Sequence, residues 1–223
     1  MHIIDLSMPI ERHFRWQPTI EVKGDIAAGD QFRITRLATT CHGFTHVDAP
    51  AHFVADAPTI EMTPLSRVVG PARVIDLRDV EPNTAIDAGL LAERDPGGPE
   101  GEILVLAAAW DTKRDHRTPA FWKDAPWLTR EAAVWLHGRN PSAVAFDFPQ
   151  DYPIRLLLDG QSAPSDQHVT HDVLLRAGVT LIEYLVNTTA LTAPRTFLCA
   201  APLRVPGADG APARVIAIDG LAV

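Results

Sequence analysis

His42-Gly-Phe-Thr-His46-Val-Asp48-Ala-Pro-Ala-His52 gathers three of the chain's nine histidines and one carboxylate into a single short segment. On extended backbone, side chains of equal parity share a face, and His42, His46, Asp48 and His52 all fall at even positions. A continuous helix would turn Asp48 away from His46, and Pro50 disfavours helical geometry at Ala49. Pro50 does suit the first position of a helix. The segment is therefore expected to run as strand or loop through Asp48 and to turn into a helix at Pro50, with His52 in the first turn facing back. Two imidazoles and a carboxylate suit zinc, manganese or iron, and the third histidine, beyond Asp48, is placed for a different task. The competing reading is a loop with scattered polar residues, and four such groups in register weigh against it. Gly43 favours close backbone packing around a ligand. Cys41 is a soft donor beside His42, but nitrogen and oxygen donors already crowd the segment.

Outward from it, Phe32–Ala38 is rich in strand formers and leads into the histidines. The opening Ile3-Ile-Asp-Leu6 reads as a first strand, whereas residues 10–30 are punctuated by Pro18, Gly24 and Gly29 and read as irregular. Arg73–Leu77, Ile103–Leu106 and Ala143–Phe146 are apolar runs bounded by breakers, as buried strands are. Val179–Leu185, the region from Thr196 to Val205, and Arg214–Ile218 complete the expected strands. Helices are expected from a Thr129 cap to His137 with Gly138 as the stop, from a Thr170 cap to Arg176, and over Ala85–Arg94. With no repeat and no linker, the reading is one mixed α/β domain over residues 1–223, with an irregular arm at 1–30.

A metal site draws ligands from more than one segment. His171, at the start of the helix expected after Thr170, and Glu183, on the same strand face as Val179 and Leu181, are candidates. A carboxylate buried on a strand is costly unless paired or bound to a cation, although an exposed edge strand would remove that objection. His168 competes with His171, and the residues themselves favour neither. A serine hydrolase is disfavoured, since Gly160-Gln-Ser162-Ala-Pro164 lacks the last glycine of the nucleophile elbow. No His-Glu-x-x-His helix, phosphate loop or dinucleotide fingerprint occurs.

Composition narrows the partners. The net charge of -8, without any basic run, argues against nucleic acid. Hydrophobic residues at 46% and charged residues at 22% are those of an ordinary soluble protein. The longest apolar stretch, Ile103–Trp110, is far short of a membrane span, and the N-terminus lacks the pattern of a signal peptide. Two cysteines, Cys41 and Cys199, fit free thiols in a reducing cytoplasm.

The run His42-x3-His46-x-Asp48-x-Pro50-x-His52 resembles the signature of the cyclase-type metal-dependent hydrolases, which include bacterial kynurenine formamidases and isatin hydrolases. The opening Ile-Ile-Asp-Leu-Ser7, Trp16, Ala143–Asp147, and His171 followed by Glu183 extend the resemblance over most of the chain. It implies a swivelling β/β/α fold and a site for two divalent ions, zinc with manganese as the alternative. His42, His46 and Asp48 would hold one ion, and Asp48 would bridge to a second held by His171 and Glu183. The resemblance thereby selects His171 over His168. It further implies His52 as general acid/base, Trp16 as the residue that stacks on substrate, and a homodimer or homotetramer to which the N-terminal arm contributes. The implied activity is hydrolysis of a C–N amide bond in a small aryl formamide by metal-activated water. Ring opening of isatin-like cyclic amides, imides or lactones is the alternative, and a metal- or ligand-binding module without catalysis is the third reading. The chain departs from the signature at Phe44, where glycine is usual. It also departs at Asp147-Phe-Pro-Gln-Asp-Tyr152, where the family's serine and second aspartate are replaced, in a motif expected near the substrate pocket.

Overall fold

The apolar runs become the centre of the sheet. In the computed structural model, which describes residues 1–221, β5 (Val69–Asp76), β7 (Ile103–Ala107), β9 (Ala143–Phe146) and β10 (Thr180–Glu183) lie side by side and parallel. Every residue of β7, β9 and β10 is buried, as parallel strands covered on both faces require. Antiparallel strands extend this core both ways. On one flank follow β11 (Arg195–Cys199), β13 (Ile216–Asp219) and β1 (His2–Asp5); on the other, β4 (His46–Asp48) and β12 (Gly210–Pro212). The last two positions of the expected span 1–223 lie outside the described residues.

This nine-stranded mixed sheet carries an apolar core on each face. Leu104, Leu106, Val144, Phe146 and Leu181 point to the helical side, where Leu91 of helix Ala88–Arg94 and Leu136 of helix Arg130–Gly138 meet them. The alternate residues, Val105, Ala145, Ile182 and Val47, join Ile4, Leu198, Ala211 and Ala217 from the outer antiparallel strands in the second core. The α/β expectation is met.

Local readings fare unevenly. Thr129 caps its helix as expected, its hydroxyl accepting from Ala132 N. Thr170 does not cap: it is itself helical, its hydroxyl is engaged with Asp151, and the following turn, His171–Leu175, is a π-helix. The helix expected from Ala85 begins only at Ala88, after β6 (Ala85–Ile86) pairs with β8 (Trp127–Leu128) and Asp87 accepts from Leu90 N. Pro50 opens a single 3-10 turn, Pro50–His52, rather than a longer helix. The expected strand toward Val205 stops at Cys199, and Val179–Leu185 is a strand only over Thr180–Glu183.

The arm is not irregular throughout. β2 (Thr19–Gly24) pairs with β3 (Ile34–Ala38) in an antiparallel hairpin, with a register shift between Val22 and Gly24. Ile20, Val22 and Leu37 share one face of it and are about half exposed.

Candidate metal centre

β4 carries the histidine segment into the sheet, hydrogen-bonded on both sides. Its register sets Glu183 beside His46, and Leu181 and Gly210 beside Asp48. Paired residues point to the same face, so His46, Asp48 and Glu183 converge while Val47, Ile182 and Ala211 fill the opposite core. The convergence lies at the carboxyl end of the parallel strands, where open α/β sheets bind their ligands. His171 arrives from the π-helical turn before β10.

Two backbone features aim these groups. Phe44, with φ of 60°, and Tyr184, with φ of 59°, are left-handed residues flanking His46 and Glu183. Glycine is the ordinary choice for such a conformation, which accounts for glycine being usual at position 44. Here the strain, about 1–3 kcal/mol, is offset by burying the Phe44 ring against Trp16, centroids 4.7 Å apart. Thr45 ties the two turns together: its hydroxyl donates to Tyr184 O (2.6 Å) and accepts from Met8 N (2.7 Å). Gly43 lies against Trp16 and Thr40, not against a ligand space as its sequence suggested. A Cβ there would meet Thr40 Cγ2 at 2.9 Å and Trp16 Cγ at 3.2 Å.

The donor atoms face inward because their other ends are tethered. His46 Nδ1 donates to Phe44 O at 2.8 Å, which leaves Nε2 as the lone-pair nitrogen of the neutral ring. That nitrogen faces Asp48 Oδ1 at 3.2 Å and Glu183 Oε2 at 3.7 Å. His171 Nδ1 donates to Asp151 Oδ2 at 2.7 Å, and its Nε2 faces Asp48 Oδ2 at 3.5 Å and Glu183 Oε1 at 3.4 Å. His46, Asp48, His171 and Glu183 are all buried, and Asp48 Oδ2 has no hydrogen-bond partner. Lone pairs facing carboxylate oxygens in a buried space repel unless a cation sits among them. The donor set therefore fits a divalent ion, and the Asp151–His171 pair is the kind of outer support that metal-bound histidines use.

His42 is bonded on both sides to carboxylates, Nδ1 to Asp48 Oδ1 and Nε2 to Asp209 Oδ2, each at 2.8 Å. Burial would lower its pKa, but these two carboxylates outweigh burial and lift it to about 9. Without a metal the ring takes up a proton, and the site gathers positive charge either way. His52 stacks on His42 with centroids 3.8 Å apart, and its Nδ1 lies 3.4 Å from Asp209 Oδ2. Burial is the main force on His52; Asp48 opposes it and His42 and His171 reinforce it, so its pKa falls to about 4 and the ring is neutral at pH 7.

All five expected ligands and His52 thus converge on one site, with Asp48 between His42 and His46 on its Oδ1 side and His171 on its Oδ2 side. Asp48 stands within reach of His42 together with His52, and of His46 together with Glu183. Asp151 joins His171 with His168, the sequence rival, which reaches this edge of the site and not Asp48. Trp16 is half-buried and packs on His13, Phe44, Trp122 and Tyr184. It borders an outer cavity of about 720 Å³ beside the one of about 330 Å³ that holds His46, His52, His171 and Glu183.

Asp209 and Gly210 escaped the sequence reading, and Gln150 and Asp151 entered it only as part of an altered motif expected near the substrate pocket. Asp209 and Gly210 lie in and just after a turn far along the chain, with nothing in their spacing to mark them. Gly210 is needed because a Cβ there would fall 2.7 Å from His42 Cε1 and 3.0 Å from Val47 O. Gln150 and Asp151 belong to the altered Asp147–Tyr152 motif, which supports the ligands more than it lines the pocket. Gln150 Nε2 donates to Glu183, whereas Asp147 is wholly buried on Thr188 and Ala108 N and Tyr152 is exposed against Trp127.

The chain is similar to known proteins over nearly its whole length. A model of the family described as Cyclase matches residues 4–150. The kynurenine formamidase of Salinibacter ruber is 30% identical over 229 residues, covering 98% of each chain. That of Geobacillus thermodenitrificans is 26% identical, over 95% of this chain and 94% of the other. Among solved structures, a potential metal-dependent hydrolase with cyclase activity is 28% identical with a TM-score of 0.75, covering 99% of both chains. Isatin hydrolase A from Labrenzia aggregata, 22% identical, superposes with a TM-score of 0.82 over 97% of this chain and 93% of its own, a likeness of fold.

Proposed function

The chain belongs to the cyclase family, and from that premise we propose that it is a metal-dependent hydrolase that cleaves the C–N bond of an aryl formamide. The observation that carries this reading is the pair of tethered imidazoles, His46 and His171, whose free nitrogens face the buried carboxylates of Asp48 and Glu183. With His42, these are the residues that would hold divalent metal, two zinc ions or manganese in their place. A bound divalent ion brings the pKa of water to about 7 and polarises a carbonyl oxygen.

The remaining chemistry falls to the chain's own groups. Water adds its oxygen to the formyl carbon, the C–N bond breaks, and the products are formate and the aryl amine. An amine leaves poorly unless its nitrogen gains a proton. His52, neutral and at the cavity wall, takes a proton from the attacking water and returns it to the leaving nitrogen. Asp209 Oδ2 stands 3.4 Å from His52 Nδ1, and its charge favours the proton on that nitrogen, which would leave Nε2 for the reaction. Asp151 and Gln150 hold His171 and Glu183 in orientation, and Trp16 and Phe14 offer the ring of the substrate an aromatic wall. Ring opening of a cyclic amide breaks the same type of bond and is the second reading. We further propose a homodimer or homotetramer, a reading supported by the half-exposed apolar face of Ile20, Val22 and Leu37 on the hairpin. We place the enzyme in the cytoplasm on its free thiols; no helix among the described residues is long and apolar enough to cross a membrane.

The test is a hydrolysis screen of formamides, cyclic amides and lactones on metal-quantified protein, run beside His52→Ala. His52→Ala should retain its metal and lose about 10²–10⁴-fold in kcat, the usual contribution of a positioned proton-transfer group. Unchanged turnover removes His52 from the mechanism, and metal retention with no hydrolysis by wild type would favour a binding module. His171→Ala and Glu183→Gln should each lose metal; full occupancy in both would refute the ligand set.

A further inference from the structure

β10 ends on Glu183, and the residue after it breaks the alternation of the strand. Leu181 faces the helical side and Ile182 the second core, so on extended backbone Tyr184 would follow Ile182. Its φ of 59° instead turns it to the side of Leu181 and gives Leu185 to the second core. A bulky residue is a rare occupant of left-handed backbone, and such outliers gather at functional sites. The turn is pinned on both sides: Thr45 Oγ1 donates to Tyr184 O at 2.6 Å, and Leu185 N donates to Phe146 O at 2.8 Å.

The turn delivers the Tyr184 ring to the inner cavity, which it borders with His46, His52 and Glu183. Its centroid lies 5.4 Å from the His46 ring and 5.4 Å from Trp16, between the ligand cluster and the aromatic wall. Buried tyrosine hydroxyls ordinarily find a partner. Tyr184 is 4% exposed, yet its hydroxyl makes no hydrogen bond among the described residues. The Trp122 indole, 6.4 Å away between ring centres, is a donor only and cannot accept from it.

We propose that Tyr184 is a further catalytic residue, its hydroxyl donating to the carbonyl oxygen of the scissile amide as negative charge gathers there. The inference rests on the hydrolase reading above. Addition of water to the planar carbonyl carbon makes it tetrahedral and leaves its oxygen negative. A donor already fixed in a water-poor cavity stabilises that oxygen without reorganising. The phenol, with an ordinary pKa of about 10, keeps its proton throughout. As the C–N bond breaks, the carbonyl re-forms, and the proton for the leaving nitrogen comes from His52. Tyr184 and His52 therefore divide the work, one holding charge on oxygen and the other moving a proton to nitrogen.

The experiment compares the metal-loaded full chain with Tyr184→Phe, which keeps the ring and removes only the oxygen. On the amide that the screen above shows to be turned over fastest, kcat should fall about 10²–10³-fold, the worth of one oxyanion donor. KM should stay unchanged, as for a contact made only in the transition state. Bound metal, by elemental analysis, should match wild type. N-phenylphosphoramidate, a tetrahedral anion on an aryl amine, should bind the variant at least about tenfold more weakly in calorimetry, and aniline should bind both proteins alike. An unchanged kcat, or a slower variant that has also lost metal, overturns the proposal, because the ring would then serve packing alone. Should wild type hydrolyse no amide in the screen, the hydrolase reading fails, and the hydroxyl is judged by the phosphoramidate. Tenfold weaker binding in Tyr184→Phe then supports a donor to an anionic oxygen in this cavity, and equal binding overturns it.

Discussion

Gly210→Ala adds one methyl group and removes no donor atom, so it asks whether the position of His42 matters as well as its presence. Built on the observed backbone, the new Cβ lies 2.7 Å from His42 Cε1, where ordinary contact begins at 3.4 Å; the ring must retreat by 3.4 − 2.7 = 0.7 Å. On its other side the Cβ meets Val47 O at 3.0 Å. That carbonyl belongs to β4, which is held by strands on both sides, so the imidazole takes the displacement. Ligand distances in a working metal site hold to about 0.2 Å, well under the shift required. Metal affinity should therefore fall about 10- to 100-fold, or about 1.4–2.7 kcal/mol, with every donor still in the chain. Competition against a chromophoric chelator measures the affinity, and far-UV circular dichroism confirms that the variant is folded. A folded Gly210→Ala protein with wild-type affinity would refute the reasoning, because His42 would then be either free to swing or no ligand.

Asp151→Asn keeps the size of the group that tethers His171 but weakens the charge-assisted bond; metal affinity should drop about 10- to 100-fold, and equal chelator titrations would contradict it. Asp147 is lifted to about 6 by burial, which outweighs its bonds to Thr188 and Ala108 N. A folded pKa above the unfolded value of 3.8 means that the native state holds the extra proton, so this contribution is present below pH 3.8 and lost as pH rises through 6. Relative to wild type, Asp147→Asn should gain about 3 kcal/mol between pH 4 and 8 in urea unfolding, and a difference that stays flat with pH would rule this out. Leu37→Glu, on the apolar face of the hairpin, should lower the mass seen in sedimentation to that of the monomer, and an unchanged mass would free the hairpin from any role in assembly.

The parallel strands were legible because a strand buried on both faces must be apolar throughout, and Ile103–Leu106 and Ala143–Phe146 are. The ligand segment was legible because three imidazoles and a carboxylate seldom crowd together for packing alone. β2 was missed because alternation is recognised by its match to a core, and the hairpin has none within this chain. Thr170 misled because its hydroxyl, a plausible cap, serves Asp151 instead. Asp209 and Gly210 act through contacts between distant parts of the chain, and single residues of common type carry no pattern that announces such contacts. Phe44 stood out as a departure, and its left-handed backbone gives the reason that glycine is usual there.

The placement of β4 has a genetic consequence. A three-residue strand hydrogen-bonded on both sides leaves no slack, and its side chains alternate between the cation cavity and an apolar core. One codon gained or lost between 46 and 48, or in the facing stretch 181–183, would exchange the occupants of those two compartments. His46 and Asp48 would be driven into hydrocarbon while Val47 faced the cavity. Substitutions here can be graded in their effects, but reading-frame-preserving insertions and deletions cannot. A deletion scan of the chain should therefore show its sharpest boundary at this strand, well away from the tolerant turns that precede and follow it.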